Sequence, residues 1–251
     1  MKYKNGKGVD DINISVDDGE VKALLGPNGS GKSTTMRSFM GFLNSSEGSL
    51  KVAGVDTIAN PVEAKEIIGY LPGDPQLPQN LNSKSLFKLG ADMRGQSIDY
   101  AMELAEKFEL DVKQIVKELS KGNRQKTAVI LALLHKPKAL VLDEPTSGVD
   151  IKTRDEVMHL LDELNHQDVT VIMTTHEINA VAAHLPWVVC VNKEIVASGP
   201  PDEVFTPPVL KKTYNAEINV TEYMGMKLVA ETPHFFGRTH KDNGTDLKSS
   251  N

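Results

Sequence analysis

The sequence predicts an α/β protein with a mostly parallel, wound sheet, a helical subdomain and a small antiparallel β lobe. Short apolar segments alternate along the chain with segments whose apolar residues recur at helical spacing. Residues 139–142 are apolar at every position, which is typical of a strand buried on both faces of a parallel sheet. The 251 residues are enough for one large α/β domain that carries an additional lobe.

The individual elements follow from local spacing and from turn residues. We predict strands over 21–25, 49–52, 67–70, 139–142 and 169–174, helices over 33–43, 83–93, 100–108, 112–119, 120–134, 152–166 and 178–184, and a hairpin that joins 188–191 to 195–197. Ser120 is placed to cap the helix that follows it. Residues 1–206 are expected to form the main domain, with the helical subdomain at about 74–134. A small C-terminal appendage over 207–236 and a disordered polar tail over 237–251 are expected to follow.

Composition limits the classes of function. The formal net charge of -6 argues against nucleic acid as the main partner, because phosphate backbones attract basic surfaces. The single cysteine, Cys190, fits a reducing cytosol and lies in an apolar segment, where it is expected to be a small buried side chain. No segment approaches the ~20 apolar residues of a membrane span, and no apolar stretch follows the N-terminal lysines. We therefore expect any association with a membrane to depend on a partner protein.

A complete phosphate-binding motif follows the first predicted strand. Gly26-Pro27-Asn28-Gly29-Ser30-Gly31-Lys32-Ser33 matches G-x-x-x-x-G-K-[ST], and Thr34 continues into the predicted helix. The glycines let backbone N–H groups surround the phosphates, while the following helix directs its N-terminus at the anion. Lys32 is predicted to contact the β- and γ-phosphates, and the Ser33 hydroxyl to coordinate Mg²⁺. The motif predicts a nucleotide-binding site of the P-loop NTPase type.

Two acids end the apolar strand at 139–142. Hydrolysis of a nucleotide needs a carboxylate that holds the metal and a base for the attacking water. Asp143 fits the first role as a ligand of Mg²⁺, and Glu144 fits the second. Acids at a strand end are often only part of a turn, but the phosphate motif upstream favours the catalytic interpretation.

Three further segments carry a resemblance to a known family. Leu119-Ser120-Lys121-Gly122-Asn123-Arg124-Gln125 resembles the signature motif of ABC-type ATPases, usually LSGGQ. Pro145-Thr146-Ser147-Gly148-Val149-Asp150 resembles their D-loop, and His176 resembles their switch histidine. The three occur in the family's order and at about its spacing. The resemblance covers the chain from about Tyr3 to Thr206.

The resemblance implies a dimer and a membrane partner. In such a dimer two ATP molecules lie between two domains arranged head to tail, so that Ser120 and Gly122 of one subunit would complete the site built on Lys32 of the other. Asp150 would contribute from the D-loop and His176 would be catalytic, together with Lys32 and Glu144. A lone monomer should therefore hydrolyse ATP poorly. The resemblance also implies transmembrane permease subunits, docked on the region 72–119, and a peripheral location on the cytoplasmic face of the cell membrane.

The sequence departs from the family pattern at several positions. Gly73 stands where the family's switch glutamine is expected, and Gln76 and Gln79 are out of register with that position. Asn123 and Lys121 replace a glutamine and a glycine of the signature motif. Tyr3 occupies the place of the aromatic residue that stacks on adenine, very close to the first residue of the sequence.

The two halves of the sequence resemble different subfamilies. Residues up to about 150 are similar to multidrug-export or antibiotic-resistance ATPases, whereas the sequence from Met158 onward is similar to metal-importer ATPases. A natural or engineered chimera therefore stays open, and neither the cargo nor its direction can be inferred from the sequence.

Two other classes of function are alternatives to a transporter subunit. A soluble ABC ATPase that acts on DNA or the ribosome usually carries a long coiled-coil insertion or two fused cassettes, and this sequence has neither. A nucleotide-binding regulator that does not hydrolyse ATP would tend to lose the base, whereas Glu144 is present. The sequence favours the ATP-hydrolysing subunit of an ABC transporter.

Overall fold

The computed structural model describes Val9 and residues 11–43, 48–223 and 225–230 of the chain. The strands are β1 Val21–Leu25, β2 Lys51–Val52, β3 Val55–Asp56, β4 Ile68–Leu71, β5 Ala139–Asp143, β6 Thr170–Thr175, β7 Val188–Asn192, β8 Glu194–Gly199, β9 Asn219–Tyr223 and β10 Met226–Ala230. The helices are α1 Lys32–Phe39, α2 Pro61–Ile67, α3 Ser83–Met93, α4 Asp99–Lys107, α5 Lys121–Leu133, α6 Ile151–Asn165, α7 Ile178–His184, α8 Pro201–Val204 and α9 Pro207–Tyr214.

The main sheet has six strands in the order β4-β5-β6-β1-β7-β8. Every neighbouring pair is parallel except β7 and β8, which form the antiparallel hairpin that the sequence predicts. Small antiparallel sheets of β2 with β3 and of β9 with β10 complete the β structure of the described residues. The mostly parallel sheet with helices and small antiparallel pairs is the predicted fold class, which is confirmed.

Apolar side chains cover both faces of this sheet, as a parallel sheet requires. Strand β5 is buried along its whole length, and its side chains divide between two core clusters. Leu140 and Leu142 pack in the larger cluster, while Val141 packs with Met36 of α1 in the other. Because parallel strands end at one edge, β1, β5 and β6 deliver the residues that follow them to the same place.

The predicted helix over 112–119 is wrong. In this segment the structure has only a short 3₁₀ turn, Val116–Glu118. The Val116 N–H donates to the Leu81 carbonyl, and the Lys84 N–H to the Val112 carbonyl, so the backbone pairs with the start of α3. Val116 and Leu119 are buried in a small apolar cluster. Their spacing of three residues is also that of one face of a helix, which explains the wrong prediction.

Other boundaries moved for local reasons. Helix α1 ends at Phe39 rather than at residue 43, because Gly41 follows with a left-handed φ of 66°. The strand predicted over 49–52 is reduced to β2, which pairs with the unpredicted β3. Helix α2 was also missed, because nearly all of its residues are exposed and no apolar face marks it.

The chain after β8 packs against the main domain. Leu210 of α9 is fully buried in the larger core cluster, and the β9–β10 hairpin contacts α7. The Asn179 side chain of α7 accepts from the Val229 N–H at 2.8 Å and donates to the Val229 carbonyl at 3.2 Å. The predicted tail over 237–251 lies outside the described residues. Among the helices of the described part of the chain, none is long and apolar enough to cross a membrane.

Candidate nucleotide-binding and catalytic site

The phosphate motif forms a loop between β1 and α1, at the carboxyl edge of the sheet. Gly31 precedes α1 with a left-handed φ of 106°, which favours glycine, and Gly29 has a φ of 80°. Helix α1 begins at Lys32, so that its first N–H groups face the space enclosed by the loop. The structure thus places residues 26–34 in the strand–loop–helix arrangement that binds phosphate.

The β7–β8 hairpin packs against this loop. A Cβ added to Gly26 would lie 2.1 Å from the Val191 carbonyl oxygen, a distance that no side chain could occupy. The Lys193 N–H, at the hairpin turn, donates to the Ser30 carbonyl at 2.7 Å. Gly26 is therefore required by the close approach of two backbone segments.

The Lys32 ammonium lies inside the phosphate loop. It donates to the Gly26 carbonyl at 2.7 Å and lies 3.7 Å from Oε1 of Glu144. Burial lowers the pKa of Lys32 from its usual value, while Glu144 and Asp143 oppose that shift. The loop therefore holds a desolvated cation where phosphate oxygens would bind, which suits the recognition of an anion.

Ser33 and Asp143 form a pair of oxygen donors beside Lys32. The Ser33 hydroxyl donates to Asp143 Oδ1 at 3.1 Å, and the Thr174 hydroxyl donates to the same oxygen at 2.6 Å. Asp143 is almost fully buried, and both donors fix its orientation. Hard oxygen ligands of this kind, together with phosphate oxygens, are what Mg²⁺ prefers, so these residues fit the expected metal.

Glu144 begins the loop after β5 in a left-handed conformation, with φ of 53°. Its N–H donates to the Thr174 hydroxyl at 2.9 Å. Its carboxylate Oε2 lies 2.7 Å from Nδ1 of His176, which follows the next strand of the sheet. Two neighbouring parallel strands thus bring Glu144 and His176 together, with Lys32 on the other carboxylate oxygen.

The signature segment lies at the N-terminus of α5. Ser120 caps this helix by accepting from the Asn123 N–H at 3.1 Å. Gly122 is buried against α6, because an added Cβ would lie 2.7 Å from the Thr153 hydroxyl and 3.4 Å from the Asp150 carboxylate. Asp150 caps α6 through the Thr153 N–H and hydroxyl, and these bonds lower its pKa.

Not all of the predicted site residues meet within one chain. The contacts of Ser120, Gly122 and Asp150 described above are with α5 and α6, whereas Lys32 contacts the phosphate loop and Glu144. Tyr3 lies outside the described residues.

Gly73 lies directly against the metal-binding candidate Asp143. A Cβ on Gly73 would be 3.2 Å from Asp143 Oδ2, so the loop after β4 reaches the site without a side chain at this position. The amide of Gln76 donates to Asp74 at 2.7 Å, and that of Gln79 donates to the Leu77 carbonyl at 2.9 Å. Both glutamines are therefore engaged within their own loop.

Sequence reasoning missed two residues of the site. Thr174 belongs to the largely buried strand β6, and its role follows from its register opposite Asp143. Gln125, in the second turn of α5, donates from its buried amide to the Pro145 carbonyl at 2.8 Å. The sequence offers one signal for Thr174 and Gln125. Each is a polar residue in a segment that is expected to be buried.

A phosphate loop between strand and helix, with an acid pair at the end of a second parallel strand of the same sheet, defines a P-loop nucleoside triphosphatase. Comparison with known proteins specifies the class further. The family model described as ABC transporter matches residues 9–147, more than half of the chain. The chain therefore belongs to the ABC transporter family, as an ATP-binding subunit with the ATPase site of that family.

Individual relatives agree with this assignment. The chain is 29% identical to the lipopolysaccharide export system ATP-binding protein LptB of Haemophilus influenzae, over 86% of this chain and 93% of the relative. It is 28% identical to the manganese transport system ATP-binding protein MntA of Synechocystis, over 85% of this chain and 86% of the relative. Among solved structures, a dimeric bacterial ABC transporter cassette is similar with a TM-score of 0.69 and 26% identity, covering 77% of this chain and 90% of that one.

Proposed function

We propose that this chain is the ATP-driven motor subunit of a membrane transporter, in which ATP binding closes a dimer of two such chains and hydrolysis reopens it. The observation that carries the proposal is the position of the Glu144 carboxylate between His176 and Lys32, next to the Ser33–Asp143 pair. A carboxylate so placed can serve as the base for a water that attacks the γ-phosphate.

The residues divide the catalytic work. The loop 26–34 binds the phosphates, and Lys32 neutralises the charge that develops on the γ-phosphate. Ser33 and Asp143 would hold Mg²⁺, and the ion would stabilise the negative charge that develops on the phosphate during transfer. Glu144 accepts the proton of the attacking water, while His176 orients Glu144 through the 2.7 Å contact.

The second subunit supplies the remaining phosphate contacts. Ser120 is exposed at the N-terminus of α5 and contacts only its own helix in the bonds described above, so that it can face a nucleotide held by the partner copy. Asp150 is exposed at the N-terminus of α6, on the same side as the signature segment. Two chains arranged head to tail would thereby complete both sites, and the similar cassette, whose structure is dimeric, supports the formation of a dimer.

Coupling to transport requires membrane subunits on the region 72–119. Within it, Leu89 and Met93 of α3 are 51% and 80% exposed one turn apart, which gives an apolar surface that a permease could cover. The chain would then lie on the cytoplasmic face of the membrane through these partners. We propose no cargo, because relatives of almost equal identity bear names for lipopolysaccharide export and for manganese transport.

The test compares wild type with Glu144→Gln. The wild type should hydrolyse Mg-ATP, and Glu144→Gln should lose about 10²–10⁴-fold in kcat because the base is gone. Light scattering should show that the variant accumulates as an ATP-bound dimer. Glu66→Gln, at an exposed position of α2, is the matched control and should behave as wild type. A wild type that binds ATP without hydrolysing it would instead favour a nucleotide-binding regulator, and a fully active Glu144→Gln would remove Glu144 from the mechanism.

A further inference from the structure

Gln125 joins the signature helix to the segment that carries the catalytic carboxylate. It lies on α5, is 7% exposed, and donates from Nε2 to the carbonyl of Pro145 at 2.8 Å. Pro145 is buried and directly follows Glu144. The hydrogen bond therefore fixes the main-chain carbonyl one residue beyond Glu144.

The conformation of Glu144 makes this bond important. A φ of 53° is uncommon for a residue with a side chain and persists only where neighbouring contacts enforce it. On the preceding side, the Glu144 N–H is held by the Thr174 hydroxyl at 2.9 Å. On the following side, Gln125 holds the Pro145 carbonyl. Two buried side chains, Thr174 of β6 and Gln125 of α5, thus hold the main chain on either side of Glu144.

The same helix end makes two further contacts with the segment after Glu144. The Lys121 side chain lies against Gly148, where an added Cβ would come within 2.1 Å of its ammonium nitrogen. Gly122 packs against Thr153, where an added Cβ would lie 2.7 Å from the hydroxyl. The first turns of α5 therefore touch the segment 145–153 at three points, so that a shift of α5 is passed to the residues after Glu144.

We infer that Gln125 is a positioning residue that couples nucleotide bound at the signature segment to the orientation of Glu144 in the same chain. The inference rests on the proposed function, in which Ser120 and Gly122 face the nucleotide of the partner copy. Nucleotide seated there fixes the N-terminus of α5, and Gln125 transmits that order to the peptide after Glu144. Each of the two sites of the dimer thereby prepares the other for hydrolysis.

The first test replaces Gln125 with Leu, which keeps the bulk and removes the donor. We expect kcat for ATP to fall about 10²-fold, the usual cost of a small misplacement of a catalytic group. The Kd for ATP and the formation of the ATP-bound dimer in the Glu144→Gln background should stay within twofold of their values with Gln125. Gln114→Leu is the matched control, because Gln114 is partly exposed and also donates to a main-chain carbonyl, that of Glu118 at 3.3 Å.

A second variant keeps the test decisive if Gln125→Leu does not fold. In Gln125→Glu a protonated carboxylic acid can still donate to the Pro145 carbonyl, whereas the carboxylate cannot. The ratio of its kcat to that of wild type should therefore rise as the pH is lowered. A purely structural role would lower ATP binding together with kcat and would leave the ratio flat.

The outcomes separate this inference from the proposed function. An unchanged kcat in Gln125→Leu, or a flat pH ratio in Gln125→Glu, overturns the role of Gln125 while the wild type still hydrolyses ATP. An inactive wild type overturns the motor proposal itself, and the inference falls with it.

Discussion

Nδ1 of His176 lies 2.7 Å from Oε2 of Glu144, although the two residues are 32 positions apart in the chain. The Glu144 side chain is 17% exposed, whereas that of His176 is 47% exposed. The residue after His176, Glu177, forms an ion pair with Arg154 of α6 at 3.1 Å. This ion pair anchors the residue next to His176, whose ring contacts the Glu144 carboxylate and remains about half exposed.

Removal of the imidazole should impair the chemical step. For His176→Ala we expect a fall of about 10²-fold in kcat, because Glu144 loses the contact that orients it towards water. The Kd for ATP should change little, since the phosphate loop is untouched. Steady-state kinetics measures kcat, and fluorescence titration measures the Kd. His166→Ala, at an exposed position beyond α6, serves as the control. A variant that keeps the wild-type kcat would show that the contact has no catalytic role.

Mixing two inactive variants tests the head-to-tail dimer. Lys32→Met removes the phosphate-loop cation, and Ser120→Arg places a bulky side chain at the partner's nucleotide. In a heterodimer of the two, one site carries both changes and the other carries neither. Half of the randomly formed dimers are heterodimers, and each of these has one intact site. Mixing should therefore restore up to about a quarter of wild-type ATPase activity. A mixture no more active than its components would mean that Ser120 and Lys32 do not serve one site across the dimer.

Nucleotide binding at high pH should be accompanied by proton uptake. Burial lowers the pKa of Lys32 below 10.5. At pH values between the lowered pKa and 10.5, the folded chain therefore binds fewer protons than the unfolded chain. Lys32 thus opposes folding at neutral pH, and this cost is relieved as the pH rises through that window.

Bound phosphates should raise the pKa of Lys32 again and draw a proton from solution. Calorimetry in the window between the lowered pKa and 10.5, in buffers of different ionisation enthalpy, should detect net uptake. Binding at a pH well below this window is the control, because the uptake due to Lys32 should be smaller there. Uptake that does not change with pH would contradict this account of Lys32.

The order of the motifs along the sequence was enough to predict a mostly parallel sheet with the phosphate loop and the acid pair at strand ends. Residues 26–33 follow an apolar strand and precede a helical pattern, and residues 143 and 144 end the most apolar strand. Because parallel strands end at a common edge, these two motifs had to meet. The hairpin of β7 with β8 was likewise predicted, because two apolar segments flank a short polar turn.

Other features depend on tertiary contacts that spacing does not encode. Val116 and Leu119 have helical spacing, yet the Val116 N–H donates to the carbonyl of Leu81, before α3. The place of β1 between β6 and β7 follows from packing rather than from the order of the strands. The role of Thr174 depends on strand register, and that of Gln125 on how closely α5 approaches the loop after β5.

Gly26 should tolerate no side chain. In Gly26→Ala the new methyl group would displace the Val191 carbonyl and move the β7–β8 hairpin away from the phosphate loop. We expect a loss of about 1–3 kcal/mol in the free energy of unfolding from overpacking, with weaker ATP binding. Both can be measured by urea denaturation and by titration with ATP.

Gly90→Ala is the matched control for this change. Gly90 lies within α3, and its added Cβ would make only an ordinary contact of 3.4 Å with Leu134. Alanine is the better helix former, so this variant should be at least as stable as wild type. If Gly26→Ala behaved like Gly90→Ala, the close approach of Gly26 to Val191 would not constrain the loop.

His135 should make the folded chain less stable in mild acid. Burial and the nearby Arg94 lower its pKa, although its hydrogen bond to the Ile68 carbonyl at 3.1 Å acts in the opposite direction. Below pH 6.5 the unfolded chain takes up a proton that the folded chain does not, so the free energy of unfolding falls as the pH drops towards the lowered pKa. Urea midpoints at pH 7.5 and 5.5 should therefore differ less in His135→Gln, which keeps a donor but cannot titrate. The exposed His166→Gln should retain the full wild-type difference, and an equally large difference in His135→Gln would assign the acid sensitivity to other groups.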